Sequence, residues 1–205
     1  MDKNYWNTYY ADFNKIGEPT SFAKSIIEKL PDKSKLMELG CGNGRDSYYF
    51  AENGHLVTAC DQSEVIINSV SKNDSNNPNF LVKDIKNLSK SFNESFDVVY
   101  ARFVLHALDE SESRRALEWT FQHLNKGGLF FSESRSIKDS IFGDGTKAGE
   151  RVFKTDHHRR FLNKDEIIKD LSDIGFVIDD VIEEKDLAIY KDSNPVVIRI
   201  AAIKP

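Results

Sequence analysis

The chain has 205 residues, with 28 Lys plus Arg against 33 Asp plus Glu and a formal net charge of −5. That balance excludes a protein whose main task is to grip nucleic acid or an anionic membrane, since both partners reward an excess of positive charge. Hydrophobic residues make up 40% and aromatics 11%, enough for one core that needs no disulfide or structural metal.

The first 30 residues precede any strand signal. They carry Tyr5, Trp6, Tyr9, Tyr10 and Phe13 at spacings that share one helical face. Two readings of such a stripe stay open: packing into the core, or a lid whose aromatic face closes over a ligand. No basic patch followed by an apolar stretch opens the chain, so no secretory signal is expected. No apolar run approaches the ~20 residues that span a bilayer. Cys41 and Cys60 each lie in or at the end of an apolar run, as free thiols in a reducing compartment do. A cytoplasmic protein is expected.

Short apolar runs then recur at Lys35–Cys41, Leu56–Asp61, Asn79–Asp84, Phe96–Arg102, Leu129–Glu133, Phe176–Ile182 and Val196–Ile203. Helical patterns fall at Arg45–Asn53, Glu64–Lys72, Glu110–Leu124 and Lys164–Ile174. The last of these puts Ile167, Ile168, Leu171 and Ile174 on one face. Strands alternating with helices predict a single α/β domain, its parallel sheet covered on both faces. Ser71–Asn79 is a polar loop. Residues 135–160 are long for a connection, and loops of that length are often lids or binding loops.

The segment Glu38-Leu39-Gly40-Cys41-Gly42-Asn43-Gly44-Arg45-Asp46 ends a predicted strand and opens a predicted helix. Glycines at every second position let the backbone turn sharply and approach a ligand closely, and the helix start offers unpaired N–H groups. The dinucleotide fingerprint would place its third glycine at position 45, where Arg45 stands. Asp61 closes the next strand at a distance suited to accepting hydrogen bonds from ribose hydroxyls. Asp84 closes the third and is followed by Ile85, a pairing suited to the exocyclic amine and one face of an adenine. Acids at successive strand ends, with Glu38 near the first, suit a ligand rich in hydroxyls and amines and free of phosphate. For any one acid, capping a helix or turn is an equal reading.

These residues resemble the class I S-adenosylmethionine-dependent methyltransferases. The resemblance rests on ELGCGNGRDS, Asp61, Val82-Lys83-Asp84-Ile85, Phe96-Asp97-Val98-Val99-Tyr100 and Leu124-Asn125-Lys126-Gly127-Gly128-Leu129, in the family's order over most of residues 35–134. It implies a Rossmann-like seven-stranded, mostly parallel sheet with the last strand antiparallel and helices on both faces. It implies S-adenosyl-L-methionine as cofactor, with Glu38, Gly40, Cys41, Gly42, Arg45, Asp46, Asp61, Gln62, Ser63, Asp84, Ile85 and Ala101 around it. Residues 19–30 would form a helix over the cofactor, with Ser21 and Phe22 near its methionine part. The chain then divides into an N-terminal helical cap (1–30), a cofactor-binding core (35–134), an inserted acceptor-side segment (135–160) and a C-terminal helix with a strand pair (161–205).

The segment after the fourth strand, residues 101–108, is the family's usual lip between cofactor and acceptor. His106 is the candidate base, since a neutral imidazole titrates near the working pH; a packed or capping histidine is the structural alternative. Arg102 is placed to bind an acceptor's anionic group or to pair with a carboxylate. In the inserted segment, Arg151–Phe161 holds the densest basic cluster of the chain. Alternation there would put His157 and Arg159 on one side and His158 and Arg160 on the other. Guanidinium forks match carboxylate and phosphate oxygens, so a small anionic acceptor is expected. Tyr5, Trp6, Tyr9, His157, His158, Arg159 and Arg160 are the candidates to contact it. Adjacent histidines point apart and lack spaced partners, so no metal is expected.

The aromatic N-terminus and the His-His-Arg-Arg cluster are also similar to small bacterial methyltransferases that finish phosphorus-containing or sugar-derived metabolites, some tied to surface polysaccharides. That likeness suggests a carboxylate, phosphate or phosphoramidate acceptor. Arg102-Phe103-Val104-Leu105 is not the Asn/Asp-Pro-Pro-Tyr/Phe motif of nucleic-acid amide N-methylation, and arsenic methylation would want more cysteines. The expected activity is methyl transfer to an O or N atom. The alternative is a non-catalytic S-adenosylmethionine-binding regulatory or scaffold protein.

Overall fold

The computed structural model describes residues 3–11, 16–71, 76–90 and 92–205. Phe13 and part of the predicted 71–79 loop lie outside them. In chain order the elements are α1 (Lys3–Tyr10), α2 (Ser21–Ile26), β1 (Lys35–Leu39), α3 (Arg45–Glu52), β2 (Leu56–Asp61), α4 (Glu64–Val70), β3 (Asn79–Val82) and β4 (Phe96–Arg102). There follow α5 (Glu110–His123), β5 (Leu124–Arg135), β6 (Thr146–Gly149), β7 (Val152–Lys154), β8 (His158–Arg160), α6 (Lys164–Ile174), β9 (Val177–Glu184) and β10 (Val197–Ile203).

Seven strands form one sheet in the order β3-β2-β1-β4-β5-β10-β9. β1 runs parallel to β2 and β4, and β4 runs parallel to β5. β10 is antiparallel to both β5 and β9, so the last strand is the reversed one. Period-two alternation sorts each strand's side chains onto two faces. Met37, Leu39, Val99 and Phe130 pack with α5 and α6 on one face. Leu36, Val57, Val98, Tyr100 and Phe131 pack with α2, α3 and α4 on the other. No helix among the described residues is long and apolar enough to cross a membrane.

Helix starts follow their caps. Thr20 Oγ1 accepts from Ala23 N, Ser63 Oγ from Ile66 N, and Asn163 Oδ1 from Asp165 N. Asp109 forms a reciprocal capping box with Glu112. α6 ends on Gly175 in the left-handed region, at φ 115°.

Three departures from the sequence reading bear on the site. β5 extends to Arg135, beyond the apolar run, because β10 supplies ladder partners up to the Val197–Arg135 pair. The inserted segment is itself a small antiparallel sheet in the order β6-β7-β8. It is held by a cluster of Phe142, Phe153 and Phe161 rings, with Leu162 N donating to Arg135 O at 3.0 Å. The expected helix over 19–30 is shorter, with α2 giving way to a 3₁₀ turn at Ile27–Lys29.

Candidate active site

A cavity of ≈ 390 Å³ opens at the carboxyl ends of the parallel strands, beneath α1 and the inserted sheet. Such crevices are where open α/β sheets bind ligands.

One half is the glycine turn. Gly40, Gly42 and Gly44 have φ of 69°, 51° and 73°, and a Cβ on Gly40 would stand 2.6 Å from Val104 Cγ2. Gly40 N and Cys41 N donate to Cys60 O at 2.8 and 3.0 Å, which ties the turn to the end of β2. Asp61 is oriented from both sides: Oδ2 accepts from Gly42 N at 3.1 Å and Oδ1 from Ser63 N at 2.9 Å. Burial pushes its pKa up, and the backbone donors of Ser63, Gly42 and Gln62 pull it back. Glu38 is buried and accepts from the Ser47 hydroxyl. Burial, with neighbouring Asp46 adding to it, holds its carboxyl well above the usual range. Cys41, Arg45, Gln62 and Ile85 also line this half. The Cys41 thiol is pushed up by burial, so it is a packed group and not a reactive thiolate.

Several expected cofactor contacts fall elsewhere. Asp46 borders the cavity, but its carboxylate accepts Thr20 N, Thr20 Oγ1 and Tyr100 Oη at 2.7, 2.8 and 2.9 Å, so it pins α2 and β4. Ser63, outside the cavity lining, caps α4, and its hydroxyl donates to Asn7 of α1. Asp84 lies beyond the end of β3 and turns its Oδ1 to Lys86 N at 3.0 Å. Ala101 is buried within the sheet. Ser21 bonds Leu187 O, and Phe22 stacks on Tyr100 at 5.2 Å. None of Ser63, Asp84, Ala101, Ser21 and Phe22 lines the cavity.

The other half follows β4. Phe103 takes a left-handed backbone, φ 56°, with N bonded to Glu133 O at 2.8 Å. The Arg102 guanidinium lies 4.3 Å from the Phe103 ring centroid, with Nε 2.8 Å from Glu133 Oε1. The other oxygen of this fully buried carboxylate binds Arg199 Nε at 2.7 Å. His106 sits on a 3₁₀ turn (Leu105–Ala107), buried, its ring centroid 5.1 Å from that of Phe103. Its Nδ1 has no hydrogen-bond partner among the described residues. Burial, with the positive neighbours Arg159 and Arg135 next, holds its pKa well below the ordinary 6.5.

The inserted sheet supplies a connected group. Asp156 accepts Tyr5 Oη at 2.7 Å and Thr155 Oγ1 at 2.8 Å. His157 is buried beneath Tyr5, ring centroids 4.5 Å apart, with Nδ1 2.9 Å from Asp156 Oδ1 and Nε2 3.1 Å from Arg159 Nη2. A guanidinium only donates, so Nε2 accepts and the proton of a neutral His157 sits on Nδ1, which lies 2.9 Å from Asp156 Oδ1 without the alignment of a hydrogen bond. Arg159 lines the cavity; His158 is exposed and outside it. Arg160 is also outside and donates to Leu108 O and Leu105 O at 3.0 and 3.2 Å. Strand alternation thus turns His157 and Arg159 to the cavity and takes His158 and Arg160 off the list of acceptor contacts.

Tyr5, Trp6, Tyr9 and Tyr10 all line the cavity, so the aromatic face of α1 covers it; Tyr10 packs in addition against one sheet-face cluster. A Cβ on Gly42 would meet Tyr10 Oη at 2.5 Å, which locates α1 directly over the glycine turn. Sequence reasoning missed Arg135, which pairs with Asp139 at 2.6 Å and lines the cavity from the end of β5. It also missed Tyr190 and Ser193 on the β9–β10 connection. Among the described residues no group of three His, Cys, Asp or Glu could hold a metal.

Residues 36–128 match a protein-family model described as a methyltransferase domain. A Haemophilus influenzae protein named "probable S-adenosyl-L-methionine-dependent methyltransferase TehB" is 25% identical over 121 residues, 57% of this chain and 42% of that protein. The chain therefore spans less than half the length of this relative. A Bacillus subtilis protein named "putative methyltransferase YqeM" is 29% identical over 161 residues, covering 74% of this chain and 64% of that one. The crystal structure of the glycopeptide N-methyltransferase MtfA, in complex with S-adenosyl-L-homocysteine, shares the fold at a TM-score of 0.69 and 17% identity, covering 97% of each chain. Domain match, motif order and sheet topology together support a class I S-adenosylmethionine-dependent methyltransferase.

Proposed function

We propose that the chain transfers the methyl group of S-adenosyl-L-methionine to an oxygen or nitrogen of a small anionic molecule. The observation that carries this reading is the polarity of one cavity: carboxylates and a glycine turn border one end, and Arg102, Arg135 and Arg159 surround a buried imidazole at the other. The first end fits the cofactor. Asp61 keeps both oxygens aligned by backbone donors at the cavity wall, the turn has no side chain at Gly40 and Gly42, and the carboxylates Glu38, Asp46 and Asp61 outnumber the one cation that the described residues bring there, Arg45. The product complex of MtfA supports the same choice.

When bound, the cofactor supplies a methyl group already activated by its sulfonium. The protein's own contribution is placement, which supplies on the order of 7–11 kcal/mol in favourable cases, together with water exclusion and removal of a proton. Arg159 suits the acceptor's anion: its bonds reach His157 Nε2 and Thr155, and Asp156 stands 3.9 Å away, which leaves further guanidinium donors. Arg102, whose Nε lies 2.8 Å from Glu133 Oε1, adds a second positive charge at this end. His106, neutral and with no partner at Nδ1 among the described residues, takes the proton. An acidic metabolite of carboxylate, phosphate or phosphoramidate type, in surface-polysaccharide or secondary metabolism, matches this set. A cytoplasmic setting, with no nucleic acid or membrane partner, fits the overall charge of −5.

The test is S-adenosylhomocysteine formation when the chain is incubated with S-adenosylmethionine and a panel of small carboxylated and phosphorylated compounds. Product with at least one anion is expected. Product only with neutral compounds would overturn the anionic acceptor, and cofactor binding with no product from any compound would favour a regulatory protein.

A further inference from the structure

We propose that Arg160 is the positioning residue for His106: its guanidinium fork grips the two carbonyls that flank the imidazole-bearing turn and fixes where the ring sits. The proposal rests on the reading of His106 as the proton acceptor.

His106 lies in a single 3₁₀ turn. The turn's internal bonds are Ala107 N to Val104 O at 2.9 Å and Leu108 N to Leu105 O at a long 3.4 Å. One such turn is weakly self-supporting, and its last carbonyls point away from any continuing helix. Arg160 supplies what is missing. Nη2 donates to Leu105 O and Nε to Leu108 O, one residue before and two residues after His106. Both bonds cross more than fifty residues of sequence, from the inserted sheet to the strand-four lip. The planar fork is suited to two acceptors at a fixed spacing, and a lysine offers only a point charge on a flexible stem.

The neighbouring residue makes the arrangement more than a tether. Arg159 points into the cavity and meets His157 Nε2, whereas Arg160 points to the turn beneath. The same strand is fixed to the sheet through Phe161 N to Arg151 O and Leu162 N to Arg135 O. One short strand therefore carries the group that reads the acceptor and the group that seats the base. Acceptor recognition and base placement are thereby set in a common frame.

The charged and titratable groups facing His106 are Arg102 on β4, Arg135 on β5, and His157 and Arg159 on the inserted segment. The bonds of Arg160 go to Leu105 O and Leu108 O and to none of these groups, so a change at Arg160 is expected to act on the exposure of the imidazole more than on its charged neighbours.

The experiment follows the histidine side chains of the full chain by long-range ¹H–¹⁵N NMR between pH 5 and 8, with the His106 signals identified by their loss in His106→Gln. In the wild type His106 should stay neutral in one tautomer. In Arg160→Gln the turn should loosen, giving averaged tautomers and a titration midpoint raised by at least about 1 pH unit as water reaches the ring. Arg160→Lys should fall between the two, and exposed His158→Gln on the same strand should match the wild type. If Arg160→Gln does not fold, Arg160→Lys decides. His106 spectra in the Arg160 variants that superimpose on the wild type would overturn the proposal, whatever the thermal stability. Failure of the underlying reading looks different: His106→Ala would keep full turnover while the Arg160 spectra still shifted.

Discussion

Asp61→Ala is expected to weaken S-adenosylhomocysteine binding by about 100-fold, measured by calorimetric titration. The carboxylate is held between Gly42 N and Ser63 N with both oxygens at the cavity wall, so it is set before any ligand arrives. Two charge-assisted hydrogen bonds to a ribose diol, at the low end of about 1.5 kcal/mol each, amount to ~3 kcal/mol, or roughly two decades in Kd. Stability should move little. Burial raises the folded pKa of Asp61, and a raised carboxylate contributes stability below its unfolded pKa that is lost as pH rises through the folded value. At neutral pH the ionised group therefore opposes folding. Its removal offsets the loss of the two backbone hydrogen bonds, and Tm should stay within a few degrees. Unchanged affinity in a folded variant would contradict the cofactor assignment.

His106→Ala is expected to lower turnover by about 10²–10⁴-fold, the usual range for a general base, with S-adenosylhomocysteine affinity kept. The imidazole is buried, has no partner at Nδ1 among the described residues and is held below its ordinary pKa of 6.5 by burial and then by Arg159 and Arg135. It is therefore neutral and able to accept a proton across physiological pH. Two consequences have opposite visibility. Turnover should show no acid limb at 6.5, because the imidazole protonates only at lower pH. Stability, by contrast, should begin to decline below 6.5, since a depressed folded pKa contributes stability that is complete above the unfolded value and lost as pH falls through the folded one. Near-normal turnover in His106→Ala would leave positioning as the whole of the catalysis.

The sheet was legible because its signals are local. Five-to-eight-residue apolar runs, three of them ending in Asp or Glu, and helices with Asn163, Asp109 or Ser63 before them, report their own ends. The predicted α6 boundaries, Lys164 and Ile174, coincide with the observed ones. β5 was read short because what prolongs it to Arg135 is pairing with β10, some sixty residues away. That error hid Arg135 from the site. Within the site, residues tied to backbone geometry were the readable ones: the glycines need positive φ, and Asp61 follows from the strand end. Asp46, Ser63 and Asp84 were acids or caps whose partners are set by tertiary packing. In the structure their polar atoms meet Thr20 and Tyr100, Ile66, and Lys86 respectively. Alternation correctly separated His157 and Arg159 from His158 and Arg160, but only the fold says which pair faces inward. The aromatic stripe of α1 reads in sequence as core packing or as a lid, and the fold gives it a part in both: Tyr10 packs on the core, while Tyr5, Trp6, Tyr9 and Tyr10 line the cavity above Gly42.

The central claim is that one cavity joins a carboxylate-lined cofactor end to a guanidinium-lined acceptor end. Its most direct test is kcat/KM for an acidic acceptor against its neutral amide, in the wild type and in Arg159→Ala. The expected result is a preference for the acid of about 100-fold or more, the worth of a charge-assisted contact, and a collapse of that preference in Arg159→Ala through a higher KM. Equal kcat/KM for acid and amide, or a preference untouched by Arg159→Ala, would contradict it.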